Sequence, residues 1–313
     1  NALTFTIGNA GAAANSVLVR SSRGTLVIQP SAIANLGISA AGENFVVIAN
    51  SSAANMNGAA TAAGIYNASV VAAAANVGTF VQYQGANGFG AAAYTTAANA
   101  TAIAVNTISD VTGSISINTG SNPYALRVGA TSTLTITGTT TVNGGAASAT
   151  NSGVGGIILN AGAVSGTDNA LITGGTLAFG SSEAVVFVAT TGTGLGRISS
   201  SITGTAGLTK FGPGTLTLDG VNSSLSGGVQ LNQGTIFINS ATALGSGTFT
   251  IKDGTTFNNN TGAALTLTAN NAQVWDGDFT FTGTSSLNLG TGAVTMNNSR
   301  TITSSTAANT LTV

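Results

Sequence analysis

Two aspartates separated by one residue, Asp276 and Asp278, are the best-placed pair of ionisable side chains in this sequence. On a β-strand, positions i and i+2 project from the same face about 7 Å apart, a separation that suits acid–base work on a sugar or the binding of Ca²⁺. Asp276-Gly277 is, however, itself a turn signal, and no nearby Lys or Arg accompanies the pair. We therefore expect a structural turn here, with a weak Ca²⁺ site as the first alternative and catalysis as the second.

Single aromatic rings are the other candidates for ligand contact. Trp275, the only tryptophan, precedes the aspartate pair, and Tyr83 ends a strand-like segment. A ring at the surface can stack on the apolar face of a sugar, whereas an isolated ring on a sheet more often packs against that sheet. We name Trp275 and Tyr83 as candidate stacking residues and keep packing as the alternative for both.

The basic residues are few, 7 in total. Arg20 and Arg23 form the only basic cluster, and we expect them on a solvated loop. Lys252 stands next to Asp253 in a turn, which predicts a local ion pair of little energetic weight. These residues do not indicate a site for an anionic partner.

The composition excludes several classes of chemistry. The 313 residues contain no histidine and no cysteine, which removes Ser-His-Asp and Cys-His nucleophiles, His or Cys zinc sites and disulfides. Charged residues make up 5%, against roughly 25% in ordinary soluble domains, and the net charge is −1. Because such a chain does not attract phosphates or anionic lipids, we expect no nucleic-acid partner. We also expect no cofactor and no enzymatic activity.

The same composition predicts a folded chain without a membrane-spanning helix. Disordered segments combine low hydrophobicity with high net charge, whereas here 43% of the residues are hydrophobic and the mean hydropathy is +0.38. The most apolar stretch, 68–81, is broken by Asn76 and Gly78 and is shorter than the roughly 20 residues that cross a bilayer. Only three prolines occur, so long stretches can pair in sheets without losing hydrogen-bond donors.

The elements that must position these residues are short β-strands. Aliphatic residues alternate with other residues in six places, a pattern typical of strands with one buried face. Turn-forming clusters such as Asp219-Gly220 and Asp253-Gly254 separate them. The six segments are Leu134–Ile136, Leu216–Leu218, Ile236–Ile238, Leu265–Leu267, Leu287–Leu289 and Leu311–Val313.

These strands recur at a nearly constant interval of about 20 residues, which is typical of one turn of a β-solenoid, where each rung stacks on the one before it. The pairs that show this interval are Ile115 and Leu134, Leu216 and Ile236, Leu265 and Leu287, and Leu289 and Leu311. Sandwich folds have strands about 8 to 12 residues apart without a longer fixed period. The chain therefore predicts about 14 rungs and a rod of roughly 65–70 Å.

Stacked rungs explain the scarcity of charge. Equivalent positions of successive rungs lie about 4.8 Å apart, so a charge repeated at one position would repel its own copies. Thr, Ser and Asn can instead form hydrogen bonds up and down the stack, and β-branched Thr suits a pleated strand. We therefore expect an aliphatic interior and an uncharged polar exterior.

Residues 207–254 carry a recognisable pattern. Gly207-Leu-Thr-Lys-Phe-Gly-Pro-Gly-Thr-Leu-Thr-Leu-Asp-Gly220 is followed by Ser226-Gly-Gly228, Asn232-Gln-Gly234-Thr and Ala243-Leu-Gly-Ser-Gly247-Thr. This run resembles the autotransporter-associated β-strand repeat of bacterial passenger regions and large secreted repeat proteins. The resemblance implies an all-β fold, a right-handed parallel β-helix (β-solenoid) exported to the cell surface, and no particular ligand or reaction. Lys210 belongs to the Leu-Thr-Lys part of the repeat, which implies a place at the edge of a rung rather than a catalytic role.

The composition changes along the chain, but no linker separates the two parts. Residues 1–110 are alanine-rich and contain short strand-like pieces, which we interpret as irregular N-terminal rungs or a cap, with a separate small domain as the alternative. One short helix is expected at Ser31–Leu36, directly after Pro30. Residues 111–313 have the regular period and are expected to form the parallel β-helix. We thus predict a single elongated domain with an irregular N-terminal part.

The function that these patterns favour is structural. We expect an extracellular or cell-surface subunit of a bacterial fibre, sheath or adhesin that associates with copies of itself, head to tail through unpaired strand edges or laterally. The first alternative is an adhesin passenger that binds a cell-surface or matrix polysaccharide, and the second is a polysaccharide-cleaving β-helix enzyme. Neither a targeting segment nor the family's translocation domain is recognised in this sequence. We therefore expect a passenger piece of a longer protein or a member exported by another route.

Overall fold

Short strands make up nearly all of the regular secondary structure in the described part of the chain. The computed structural model describes residues 3–7, 20, 22–38, 42–47, 67–75, 77–84, 87–97, 99, 103–105, 107–118, 120–142, 154–160, 170–189 and 193–313. Within them lies one 3₁₀ helix, Ile33–Asn35, inside the segment expected to be helical. The strands are β1 (Leu3–Ile7), β2 (Leu26–Ile28), β3 (Glu43–Val47), β4 (Val70–Ala74), β5 (Val77–Tyr83), β6 (Phe89–Ala91), β7 (Thr95–Thr96), β8 (Ile108–Val111), β9 (Ile115–Ile117), β10 (Ala125–Val128), β11 (Thr133–Ile136), β12 (Thr139–Thr141), β13 (Val154–Leu159), β14 (Ala170–Thr173), β15 (Thr176–Ala178), β16 (Glu183–Val188), β17 (Leu195–Ile198), β18 (Ser201–Thr203), β19 (Leu208–Phe211), β20 (Thr215–Leu218), β21 (Val229–Leu231), β22 (Thr235–Ile238), β23 (Phe249–Ile251), β24 (Thr255–Asn258), β25 (Leu265–Thr266), β26 (Gln273–Trp275), β27 (Phe279–Phe281), β28 (Leu287–Asn288), β29 (Val294–Met296), β30 (Ile302–Ser304) and β31 (Leu311–Thr312).

Two long sheets extend along the chain. The first sheet has the strand order β29-β26-β23-β21-β19-β16-β13-β10-β8-β7, and the second has the order β30-β27-β24-β22-β20-β17-β14-β11-β9. Two three-stranded sheets, β12-β15-β18 and β25-β28-β31, add a third strand to some rungs. All neighbouring strands in these four sheets are parallel. Since each rung adds one strand to each long sheet, the fold is a parallel β-helix, as the sequence predicted.

The interior of the β-helix is filled by side chains that alternate along each strand. Leu216 and Ile236 are fully buried register partners in the second sheet, as their alternating segments predicted. Burying one such side chain contributes about 1.5–3 kcal/mol. Towards residue 281 the interior becomes aromatic, with three ring centroids 5.4–5.8 Å from that of Phe257. Those rings belong to Phe249, Phe279 and Phe281.

The register of the ladders tests the predicted interval. Three predicted partner pairs are confirmed, namely Ile115–Leu134, Leu216–Ile236 and Leu265–Leu287. Leu311 pairs with Leu287 instead of Leu289. The expected partner and the actual one are two residues apart, so the same face of the strand still points inward. Upstream the period is longer, since the next register partner of Leu134 is Ile172, almost twice the predicted interval further along the chain. The regular period expected from residue 111 therefore begins only near β17.

A smaller sheet, β2-β4-β5-β6, packs on the outer face of the first sheet and is called the N-terminal layer below. Its strands β4 and β5 form an antiparallel hairpin in which Val71 pairs with Phe80. Both residues share a core cluster with Phe187 and Phe211 of the first sheet. A Cβ at Gly78 would lie 2.5 Å from Cε1 of Phe187, so this close approach requires glycine. The layer lies beside the β-helix, where irregular rungs had been expected.

The first sheet is thus covered on both faces where the N-terminal layer lies on it. All six residues of β13 and all six of β16 are buried. Their nearly continuous apolar sequences are typical of parallel strands with two covered faces. At the start of this sheet β7 pairs with β8, so the boundary expected at residue 110 falls inside a strand of the β-helix.

Candidate functional site

Ionisable side chains pair mainly across neighbouring rungs. Arg127 and Asp110 are register partners in the first sheet and form a bidentate pair, with Nε–Oδ1 and Nη2–Oδ2 distances of 2.8 and 2.5 Å. Arg197 also binds an aspartate of the next rung, Asp219. Opposite charges therefore stack where like charges would repel, so these residues stabilise the ladders.

Asp276 and Asp278 lie in the turn between β26 and β27 and not on a strand. Asp276 accepts hydrogen bonds from Lys252 of the preceding rung and from Asn297 of the following one (Nδ2–Oδ1 2.9 Å), and these bonds lower its pKa. Asp278 Oδ1 accepts a bond of 2.9 Å from the backbone N–H of residue 301. Both carboxylates therefore join rungs. Lys252 binds Asp276 and not Asp253, its neighbour in the chain. The local ion pair expected from the sequence is therefore wrong, and so is the expectation that no basic residue lies near Asp276.

Trp275 is a core residue. Its side chain is 7% exposed, its ring lies edge-on to Phe279 with centroids 5.2 Å apart, and Nε1 donates a hydrogen bond of 3.1 Å to Gln273 Oε1. A buried ring offers no face on which a sugar can stack, which corrects the role expected for Trp275. Tyr83 ends β5 opposite Phe89, and its side chain lies outside the described residues.

Lys210 points into the β-helix. It is fully buried, and its register partners Val186 and Leu231 are core residues. Its Nζ donates hydrogen bonds to three backbone carbonyl oxygens, those of Gly212 (2.6 Å), Gly214 (2.5 Å) and Gln233 (2.8 Å). Burial lowers the pKa of Lys210 well below its usual range. The place expected at a rung edge is therefore wrong, because the ammonium group joins two rungs from the inside.

Glu183 anchors a segment that is distant in sequence. Its carboxylate accepts hydrogen bonds from Arg20 (2.7 and 3.0 Å), Arg23 Nε (3.2 Å) and Thr209 Oγ1 (2.5 Å). Burial raises the pKa of Glu183, but the bonds from Arg20 and Thr209 outweigh burial and the pKa is lowered. Gln230 adds a bond of 3.2 Å to the carbonyl oxygen of residue 22. The loop expected to be solvated is thus docked on the first sheet.

The outer face of the second sheet carries a ladder of threonines on consecutive strands. Register pairing places their side chains about 4.8 Å apart on one face. Four of them are half-buried and one is exposed, and none of the five hydroxyl groups has a hydrogen-bond partner among the described residues. The sequence offered a signal that was missed, since these threonines recur at the same interval as the strands themselves. This threonine ladder consists of Thr215, Thr235, Thr256, Thr280 and Thr303.

A second row runs beside the threonine ladder, two residues further along the strands. It contains Arg197, Thr217, Phe237 and Asn258, which are successive register partners. Thr217 is 2% exposed, and its hydroxyl has no hydrogen-bond partner among the described residues. The hydroxyl of Thr282, just after β27, is also buried without a partner in the described part of the chain. Because buried polar groups are nearly always hydrogen-bonded, this row has unmet hydrogen-bonding capacity.

The last rung lacks a neighbour on its far side within the described chain. β29, β30 and β31 are edge strands, as are β7 and β9 at the other end. Val294, Met296 and Ile302 are 36%, 59% and 42% exposed. On the preceding rung, the register partners of Met296 and Ile302 are Trp275 and Phe279, which are only 7% and 3% exposed. The difference arises because no described rung covers the last one.

Comparison with known proteins ties two neighbouring rungs to a family. Residues 208–236 match the Passenger-associated-transport-repeat family, and the match runs from β19 into β22 and includes Lys210. No curated protein and no solved structure matches the chain. Among the described residues, no cluster of Asp, Glu, His or Cys could hold a metal ion, and no helix is long and apolar enough to span a membrane. The chain thus carries an autotransporter passenger repeat, built into the rungs of a parallel β-helix.

Proposed function

We propose that the chain is an extracellular structural β-helix, a subunit of a bacterial surface fibre, sheath or adhesin that associates end to end with copies of itself. The passenger repeat supports export to the cell surface. The observation that carries the proposal is the continuous stack of parallel rungs into which the passenger repeat is built.

The bonding of the ionisable groups supports a mechanical role without catalysis. Asp276, the strongest catalytic candidate in the sequence, is held between Lys252 and Asn297. Glu183 accepts bonds from two arginines and a threonine, and Asp110 is engaged by Arg127. Carboxylates held in this way join parts of the fold and are not positioned to transfer protons to a substrate.

The edge strands supply the chemistry of association. β29, β30 and β31 have backbone groups without a strand partner on their far side in the described chain, and a parallel strand from another copy can bind them by β-augmentation. Such a rung would also cover Val294, Met296 and Ile302, so apolar burial adds to the hydrogen bonds. Continuous ladders along the axis then resist pulling and proteolysis.

The test uses the double variant Met296→Lys, Ile302→Lys, which places two charges on the open rung. Substituting Val221, which is 62% exposed between β20 and β21, by Lys is the matched control because it adds a charge away from both ends. We expect the wild-type chain and the control to form filaments in electron micrographs and to scatter light increasingly with concentration. The double variant should remain monomeric. A wild-type chain that stays monomeric at every concentration would contradict the proposal.

A further inference from the structure

We infer that the threonine ladder and the second row together form a binding face for a neutral, extended β-1,4-linked polysaccharide. The face lies on the side of the β-helix, on the second sheet, and of its threonines only Thr303 belongs to the open last rung. It is therefore independent of end-to-end association, and either proposal can fail without the other.

The threonine hydroxyls match such a ligand in spacing. A β-1,4-linked chain of hexoses is extended, and it advances by roughly one strand spacing per sugar. Each rung can then offer one hydroxyl group to one sugar. The five threonines span about 19 Å, which corresponds to about four or five sugars. Since these hydroxyls have no partner among the described residues, binding a sugar breaks no described bond within the fold.

The second row lies beside the threonine ladder, and only some of its groups can reach a ligand. The hydroxyls of Thr217 and Thr282 are covered by the fold itself, so a sugar on the surface does not contact them. Arg197, the register partner of Thr217, has a side chain that is 43% exposed and lies on the same face. A sugar hydroxyl both donates and accepts, so it can satisfy a hydroxyl of the threonine ladder in either role.

The composition of the face favours a neutral sugar over a protein. The cores of protein interfaces are enriched in aromatic residues, Met and Arg, whereas this face consists mainly of threonines, with a single ring, Phe237, and a single arginine, Arg197, which pairs with Asp219. Phe237 is half-buried and projects on the same face as Thr235, where its ring can pack on a sugar. No residue of the threonine ladder is charged, which matches an uncharged polymer.

The coverage of the two long sheets points to the same face. Parallel sheets usually have both faces covered. The N-terminal layer covers the outer face of the first sheet at β13 and β16. Among the described residues, no layer of this kind lies on the outer face of the second sheet. Within the described part of the chain, the second sheet is therefore the long sheet whose outer face no further sheet covers.

The test is co-sedimentation of the full chain with amorphous cellulose and with chitin. The triple variant Thr235→Val, Thr256→Val, Thr280→Val removes three hydroxyls but keeps the β-branched shape, and circular dichroism checks its fold. The control substitutes Val for Thr266 and Thr312, exposed threonines on the third side of the rungs. We expect the wild type and the control to bind at least one of the two polymers and the triple variant to bind at least tenfold more weakly. Binding should persist at high salt, since the threonine hydroxyls carry no charge.

Two results would overturn this assignment. One is a wild-type chain that binds neither polymer, or a triple variant that binds as well as the wild type. The other is self-association of the wild type, seen by light scattering without polysaccharide, that the triple variant abolishes, because the threonine ladder would then be a contact between copies. The Met296→Lys, Ile302→Lys variant should still bind polysaccharide, which separates this face from the proposed ends.

Discussion

Lys210 shows how a single residue can join two rungs where backbone donors are missing. The turn after β19 contains Pro213, which has no N–H, and the ammonium group supplies donors to the carbonyls around it. Gly234 makes room for this arrangement, since its φ is +75° and a Cβ there would lie 2.4 Å from Nζ. The motif was recognisable in the sequence, but its inward direction was not, because lysines are almost never fully buried.

The lowered pKa of Lys210 predicts a specific dependence of stability on pH. In the unfolded chain, Lys210 keeps its proton up to a pH near its ordinary pKa of 10.5, whereas in the folded chain it releases the proton at lower pH. Between the folded and the unfolded pKa the unfolded state therefore binds more protons, and the free energy of unfolding rises with pH. In Lys210→Met this contribution is absent, and unsatisfied carbonyls cost about 1–3 kcal/mol.

Urea unfolding of the wild type and Lys210→Met between pH 7 and pH 10 measures this contribution. We expect the difference in unfolding free energy to change in favour of the wild type as the pH rises. Tyr124, whose pKa burial raises to about 12, is common to both proteins, so its titration cancels in the difference. A difference that stays constant over this range would show that Lys210 has the same pKa folded and unfolded.

At the scale of elements, the sequence revealed those strands that leave one face uncovered. All six alternating segments, including Leu216–Leu218 and Leu265–Leu267, lie in the second sheet or at β25, β28 and β31. β13 and β16 were not recognised because both of their faces are buried, which removes the alternation. Their unbroken apolar sequences could have indicated that another layer covers the first sheet.

The docking of the N-terminal segment could not be inferred from local patterns. Arg20 and Glu183 are 163 residues apart, and nothing in either segment specifies the other as its partner. The contact exists because β2 belongs to the N-terminal layer, whose hairpin packs on Phe187 and Phe211. Apolar packing thus brings the ion pairs together, and the ion pairs then fix the position of the segment.

Glu183→Gln should loosen this segment. The substitution removes the charge that Arg20 and Arg23 share, and hydrogen bonds to charged groups contribute about 1.5–3 kcal/mol. We expect trypsin to cleave after Arg20 and Arg23 several times faster than in the wild type at neutral pH. Glu43→Gln is the control, because the Glu43 carboxylate accepts a bond from the backbone N–H of Ser31 and does not contact either arginine.

Acid should have the same effect on the wild type. Because the pKa of Glu183 is lower in the folded chain, the Glu183 carboxylate stabilises the fold fully at pH values above its unfolded pKa of about 4.3. This stabilisation is lost as the pH falls through the folded pKa. Cleavage by an acid-active protease within residues 20–28 should therefore increase at low pH in the wild type, while Glu183→Gln shows no further change from this group. Equal cleavage of the two proteins at neutral pH would show that the ion pairs do not hold the segment.

At the scale of the whole molecule, the near absence of charge and the regular period were enough to predict stacked rungs. The few charged residues also fit a stack of rungs, because residues of opposite charge face each other on neighbouring rungs. Arg127 pairs with Asp110, and Arg197 pairs with Asp219. The threonine ladder could also have been predicted from its period. What the sequence does not reveal is which faces are covered, because that depends on the N-terminal layer and on contacts between segments far apart in the chain.

A stack of rungs predicts a gradient of local stability along its axis. Each rung of a solenoid is stabilised mainly by its immediate neighbours, so a rung with one neighbour opens more often than one in the middle. We expect amide hydrogen exchange to be slowest in β13 and β16, which are buried on both faces, and fastest in β29, β30 and β31. If copies associate end to end, protection of β29–β31 must rise with protein concentration while that of β13 stays constant. Uniform exchange along the rungs at low concentration would instead mean that the β-helix opens as one cooperative unit.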